Sequence, residues 1–134
     1  MKRKKRHGRR NKMSNIKIFE DKKVRSHYDA AKEIWFFSLV DIVAALTDSA
    51  NPTDYLKKMR KRDPELNSYI GTNCPQVAML TNGVNRKTLA GTAEHIFRLI
   101  QSIPSPKAEP FKQWLAKVGY ERMQEIQDPS LSMD

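Results

Sequence analysis

Between Glu33 and Leu56 the chain reads EIWFFSLVDIVAALTDSANPTDYL, its densest apolar segment, and two helix-start signals inside that stretch leave few ways to fold it. Ile34, Trp35, Phe36 and Phe37 form a run of aromatic and β-branched residues, and a helix that short has no reason to be apolar all round, so the run is read as a buried strand. Ser38 ends it. Its hydroxyl can accept from the free N–H of Asp41, and Asp41 can reach back, which is the reciprocal S-x-x-[DE] cap. Leu39, Ile42, Val43 and Leu46 follow at i, i+3, i+4 and i+7, so one stripe of the helix is apolar and faces a core. Asn51 and Pro52 start a second helix: Asn caps, Pro occupies the first helical position where its missing N–H costs nothing, and Asp54 sits in the positive first turn. This second helix runs into KKMRKR, Lys57 to Arg62.

A chain of 134 residues with 39% hydrophobic residues fits one domain. That length buries roughly two thirds of the unfolded surface without covalent staples. Cys74 is alone, which rules out a disulfide within the chain and a zinc finger. No apolar run approaches the roughly 20 residues of a membrane span, and no apolar segment of signal-peptide type follows the basic N-terminus. The expectation is a soluble, cytoplasmic protein with no cofactor, no metal and no membrane partner. The net charge of +10 is unevenly placed: residues 1–12 hold eight of the 25 bases and no acid, leaving 17 bases against 15 acids, or +2, for the rest. A nearly neutral body with a cationic arm differs from a uniformly basic nucleic-acid binder, whose charge covers a face of the fold.

Residues 1–13 are read as a disordered basic arm carrying Lys2, Arg3, Lys4, Lys5, Arg6, Arg9 and Arg10, because like charges stand too close together for a helix. Such an arm suits phosphate contacts or a localisation signal; the plainer alternatives are a solvated tail, or an upstream start with Met13 as the second. Ile16–Glu20 and Val24–Tyr28 alternate as a first hairpin, and Asp29–Glu33 is a polar connector. Asp63 and Pro64 break the basic helix, so Glu65–Cys74 is expected to be a loop or short irregular element. Gln76–Leu80 and Val84–Leu89 flank Asn82-Gly83, the pair that supplies the two positive φ angles of a type I′ turn. Gly91 and Thr92 introduce a helix with Ile96, Leu99, Ile100 and Ile103 on one face and a Glu94–Arg98 pair on the other. Ser105 and Pro106 can cap a last helix, whose regular part lies mainly beyond Pro110 and packs Phe111, Trp114, Leu115 and Val118; Gly119 closes it, and Tyr120–Ile126 forms another short helix. Trp35 and Trp114 are both expected to be buried.

Enzyme chemistry finds no support in these residues. His7, His27 and His95 stand far from any second ligand at usable spacing, Asp41 and Asp54 are explained as helix-start residues, and no phosphate-binding glycine loop or nucleophile elbow is present. The basic helix is more informative. With Tyr55, Leu56 and Met59 inward, Lys57, Lys58, Arg60, Lys61 and Arg62 fan over the outer surface, and Lys57/Lys61 and Lys58/Arg62 are repulsive i,i+4 pairs. Nucleic-acid phosphate offsets such repulsion, since each contact releases counterions. A solvated face partly neutralised by Asp63 and Glu65 is the plainer alternative. Arg86 and Lys87 on the second hairpin are candidates to extend the same surface.

Three segments resemble the Bro-N domain family: NIKIFEDKKVRS near the start, WFFSLVDIVAALTDSANPTDYL in the middle, and RLIQSIPSPKAEPFKQWLA within Phe97–Pro129. The family includes phage antirepressors, baculoviral repeated-reading-frame proteins and the bacterial DNA-damage-inducible protein D. It departs at Tyr55-Leu56, where an aromatic pair is usual, and at Asn82, Gly83, Val84, Arg86, Thr88 and Leu89, where an Asp-Gly-Lys turn precedes Arg-x-Thr-Asp; Arg86 still matches. The resemblance implies a small α+β domain of β-hairpins packed with amphipathic helices over residues 14–128, in a DNA-binding regulatory protein of phage or DNA-damage-response type. It further implies that the arm is an addition and that residues 129–134 are a truncated end. Lys57, Lys58, Arg60, Lys61, Arg62, Arg86 and Lys87 are then the expected DNA-contacting residues. The rival expectation is a protein-interaction module whose basic helix grips a repressor or recombination protein without touching DNA.

Overall fold

The computed structural model describes residues 14–127; the expectations for the arm, Lys2 to Arg10 included, and for residues 129–134 lie outside them. Five strands and five helices form an α+β domain: β1 Ser14–Phe19, β2 Lys22–Asp29, β3 Ile34–Ser38, α1 Leu39–Thr47, α2 Pro52–Arg62, α3 Pro64–Asn73, β4 Gln76–Thr81, β5 Val84–Gly91, α4 Ala93–Gln101 and α5 Ala108–Gln127. The sheet is antiparallel in the order β1-β2-β3-β5-β4. Its two hairpins meet through only Phe37↔Gly91 and Ser38↔Ala90. So short a seam lets the second hairpin curl, and β4 comes back over β2 and β1.

This curl explains why β3 is apolar without alternation. Trp35 and Phe37 face the helices, in a core with Val24, Ile42, Leu56, Met59, Ile70, Ile96, Leu99, Phe111 and Leu115. Phe36 faces the opposite way, into a smaller cluster with Met79 and Ala90 that Ile34 and Val77 border. Covered on both sides, the strand has no solvent face to make polar. Gly91 sits where β5 meets the helical layer; a Cβ there would lie 2.9 Å from the Cβ of His95 and 3.4 Å from the Cys74 sulfur, a contact only glycine avoids.

Three readings of the sequence are corrected. Glu65–Cys74 is not a loop: α3 runs from Pro64 to Asn73, with Asp63 Oδ1 accepting from the Leu66 N–H at 3.1 Å and Leu66 and Ile70 buried. Asp63-Pro64 repeats the cap-then-proline signal of Asn51-Pro52, so it ends one helix by starting the next. Gly119 does not close a helix either, since α5 continues through it to Gln127 as one element. Propensity at one glycine costs only about 1 kcal/mol, too little to stop a helix that is docked on a core. Trp114, lastly, is half-buried rather than buried. Its ring meets Phe19 edge-to-face and Phe111 at a tilt, at centroid distances of 5.7 and 5.1 Å, while its Nε1 donates to the Ile18 carbonyl at 2.8 Å, so the side chain clasps the outer strand.

Candidate nucleic-acid interface

Helix α2 is built by its caps and anchored by two side chains. Asn51 Oδ1 accepts from the Asp54 N–H at 3.1 Å, Pro52 opens the first turn, and Leu56 and Met59 are buried. These anchors fix which way the cations point. Lys57, Arg60 and Lys61, at i, i+3 and i+4, converge on one groove of about 500 Å³ bounded by Val40 of α1, Thr53 and Leu56 of α2, Asn67 of α3 and Leu89 of β5. Its floor is apolar and its rim cationic. Arg60 is held there by donating from Nε to Asn67 Oδ1 at 2.6 Å.

The expected fan of five cations therefore divides. Lys58 pairs with Asp54 at 3.1 Å on its own helix. Arg62 lies around the helix, in a hollow with Asp63, Pro64 and Ser102. Asp63 is engaged as the α3 cap, and among the described residues Lys57, Lys61 and Arg62 enter no ion pair. Lys58 is thus the one cation of the five paired with a carboxylate among the described residues, and its partner is Asp54 rather than Asp63 or Glu65.

Arg86 and Lys87 do not extend one surface together. Both are exposed, but successive strand residues point to opposite faces, and the register Met79↔Arg86 and Ala78↔Lys87 places Arg86 on the side of the buried Met79. Lys87 shares its side with Leu89, which lines the groove, so Lys87 is the one that continues the α2 surface.

One polar centre was not foreseen. Arg25 of β2 donates from its backbone N–H and from Nε to Asp41 Oδ2, both at 2.8 Å, and from Nη2 to Asp41 Oδ1 at 3.1 Å. Its Nη1 donates to Thr81 Oγ1 at 2.7 Å, across 56 residues of chain. Strand β2, the start of α1 and the tip end of β4 are tied by this one guanidinium. Ser38 Oγ does accept from the Asp41 N–H at 3.3 Å, but Asp41 does not complete the reciprocal cap, because its carboxylate serves Arg25 instead. A charge-assisted bidentate pair outweighs one further bond to a neutral amide. Nor does Arg98 turn to Glu94: it donates to Ser102 Oγ at 2.9 Å and lies over the Tyr69 ring.

The remaining ionisable groups have structural surroundings. His95 Nδ1 accepts from the Thr92 N–H at 3.1 Å and caps α4. Burial pushes the Cys74 thiol up to about 11, opposed in part by the nearby Arg60 charge. On the surface, Asp48 is held below its ordinary range by hydrogen bonds from Lys107 and then Lys22, which join the end of α1 to the turn before α5 and to the first hairpin. Among the described residues no three His, Cys, Asp or Glu side chains gather as a metal site, and no helix is long and apolar enough to cross a membrane.

The model of the BRO family N-terminal domain, Bro-N, matches residues 23–122. No curated protein and no solved structure matches the chain. That match spans β2 through most of α5, taking in both the Arg25 centre and the α2 groove, and the chain belongs to the Bro-N family.

Proposed function

We infer that this is a DNA-binding regulatory domain, of phage antirepressor or DNA-damage-inducible protein D type, acting in the cytoplasm without catalysis of its own. One observation carries the reading: Lys57, Arg60 and Lys61 converge on one groove, and Lys57 and Lys61 enter no ion pair among the described residues, an arrangement that a row of phosphates would satisfy. Lys87 adjoins this row, Lys58, Arg62 and Arg86 lie around it as outer contacts, and Lys2, Arg3, Lys4, Lys5, Arg6, Arg9 and Arg10 add sequence-independent ones.

Salt titration of duplex binding tests this on the whole chain and on protein starting at Met13. Each neutralised phosphate contributes about −0.9 to the slope of log K against log salt, so removing the arm flattens the line by several units while binding persists. Lys57→Glu with Lys61→Glu in the shorter protein then abolishes most of what is left, at little cost in stability because both side chains are exposed. A second reading is favoured by the apolar floor formed by Val40, Leu56 and Leu89, which suits a protein partner presenting an apolar side chain among acids. It becomes the leading one if the shorter protein has no DNA affinity at low salt and the Glu pair changes nothing.

A further inference from the structure

The second hairpin is fastened to the body along β4, up to the turn, and open on its outer face. Asn82 and Gly83 take φ of 53° and 81°, the type I′ turn that keeps two strands tightly paired. Val84, Asn85, Arg86 and Lys87 are all exposed, whichever face they point to, so the β5 side of the ribbon is open to solvent here. On the β4 side, Met79 is fully buried against Phe36 and Ala90, and Thr81, next to the turn, is fastened to Arg25. A ribbon fixed in this way presents its outer face in one orientation.

The register defines that face. Ala78↔Lys87 and Leu80↔Asn85 put four side chains on the same side, with Leu80 41% exposed. These are the groups that base edges accept: an Asn amide pairs with adenine N6 and N7, a Lys ammonium with guanine O6 and N7, and small apolar groups with the thymine methyl. The face also leads to the cations. Lys87 is two residues from Leu89 in the groove wall, about 7 Å along the strand, and Asn85 about 14 Å, comparable with the ~12 Å width of a major groove. A two-stranded ribbon fits that groove.

We propose that the β4–β5 ribbon enters the major groove and reads base edges with Asn85 and Lys87, Leu80 and Ala78 meeting a thymine methyl, while Lys57, Arg60 and Lys61 hold the flanking phosphates. It rests on the DNA-binding reading above. Arg86, on the other side of the ribbon, contacts backbone.

Selection of the full chain against a random duplex library supplies the test, followed by affinities for the enriched duplex and a scrambled one. Asn85→Ala should lower the ratio of the two by roughly 5- to 100-fold with an unchanged salt slope, as loss of a base contact does. Lys57→Ala should weaken both duplexes alike and lower the slope. Thermal melts of the variants coincide with the parent if, as exposed residues, they leave the fold intact. Duplex binding without an enriched sequence, or an enriched sequence indifferent to Asn85 and Lys87, overturns the ribbon proposal and leaves DNA binding standing. Absence of duplex binding at low salt overturns both.

Discussion

Arg25 illustrates how much of this fold depends on one side chain that the sequence does not advertise. It lies on the strand face away from the main core, its partners are 16 and 56 residues distant, and no local pattern links them. Arg25→Ala leaves the Asp41 carboxylate, whose surroundings are largely closed to water, without its charged donor; a loss of about 2–3 kcal/mol is expected, read from the urea midpoint at constant m-value. Asp41 itself was legible only in part: the Ser38 cap follows from spacing, the pairing with Arg25 does not. Cys74 gives a second prediction. Since burial raises its pKa from 9.0 to about 11, the folded state holds this proton more tightly than the unfolded one. The stabilisation is complete below pH 9 and lost as pH rises toward 11, so alkaline destabilisation in that window should be smaller in Cys74→Ala. Thiol alkylation of native protein near pH 8 should be slow beside that of the unfolded chain.

Helices and strands were readable wherever a cap, a turn pair and an apolar period agreed. The strand of Ile34 to Phe37, the helix that follows Ser38 and the Asn82-Gly83 hairpin met that condition and stand as read; Ile96, Leu99, Ile100 and Ile103 are all buried as expected, but α4 ends at Gln101 and Ile103 lies beyond it. Helix α3 did not meet the condition, because only Leu66 and Ile70 anchor PELNSYIGTN and the Asp-Pro before it also marks a break. Without α3, Asn67 had no place, and the groove that gathers Lys57, Arg60 and Lys61 could not be drawn from α2 alone. Asp63→Ala should cost about 1 kcal/mol by removing the α3 cap, and a reduced urea midpoint with a loss of helical ellipticity on partial denaturation would register it.

The domain as a whole has a layer of helices on one side of the sheet and its own curled hairpin on the other, and its two tryptophans report on different parts of that arrangement. Trp35, 9% exposed, lies in the main core, and Trp35→Ala should destabilise by roughly 3–5 kcal/mol. With Trp35 as the only indole, in Trp114→Phe, emission should be blue-shifted; with Trp114 alone, in Trp35→Phe, it should be redder, and the same maximum in both variants would contradict the half-buried position of Trp114. That position also sets a timetable. Strand β1 is an edge of the sheet, and the indole that clasps it is 96 residues downstream. At about 5–20 residues per second of synthesis, β1 emerges roughly 5–20 s before its clasp exists. For that interval a nascent chain carries Phe19, which Phe111 and Trp114 cover in the finished domain, with no helix to meet, so chaperone demand should peak before α5 leaves the ribosome and end when it does.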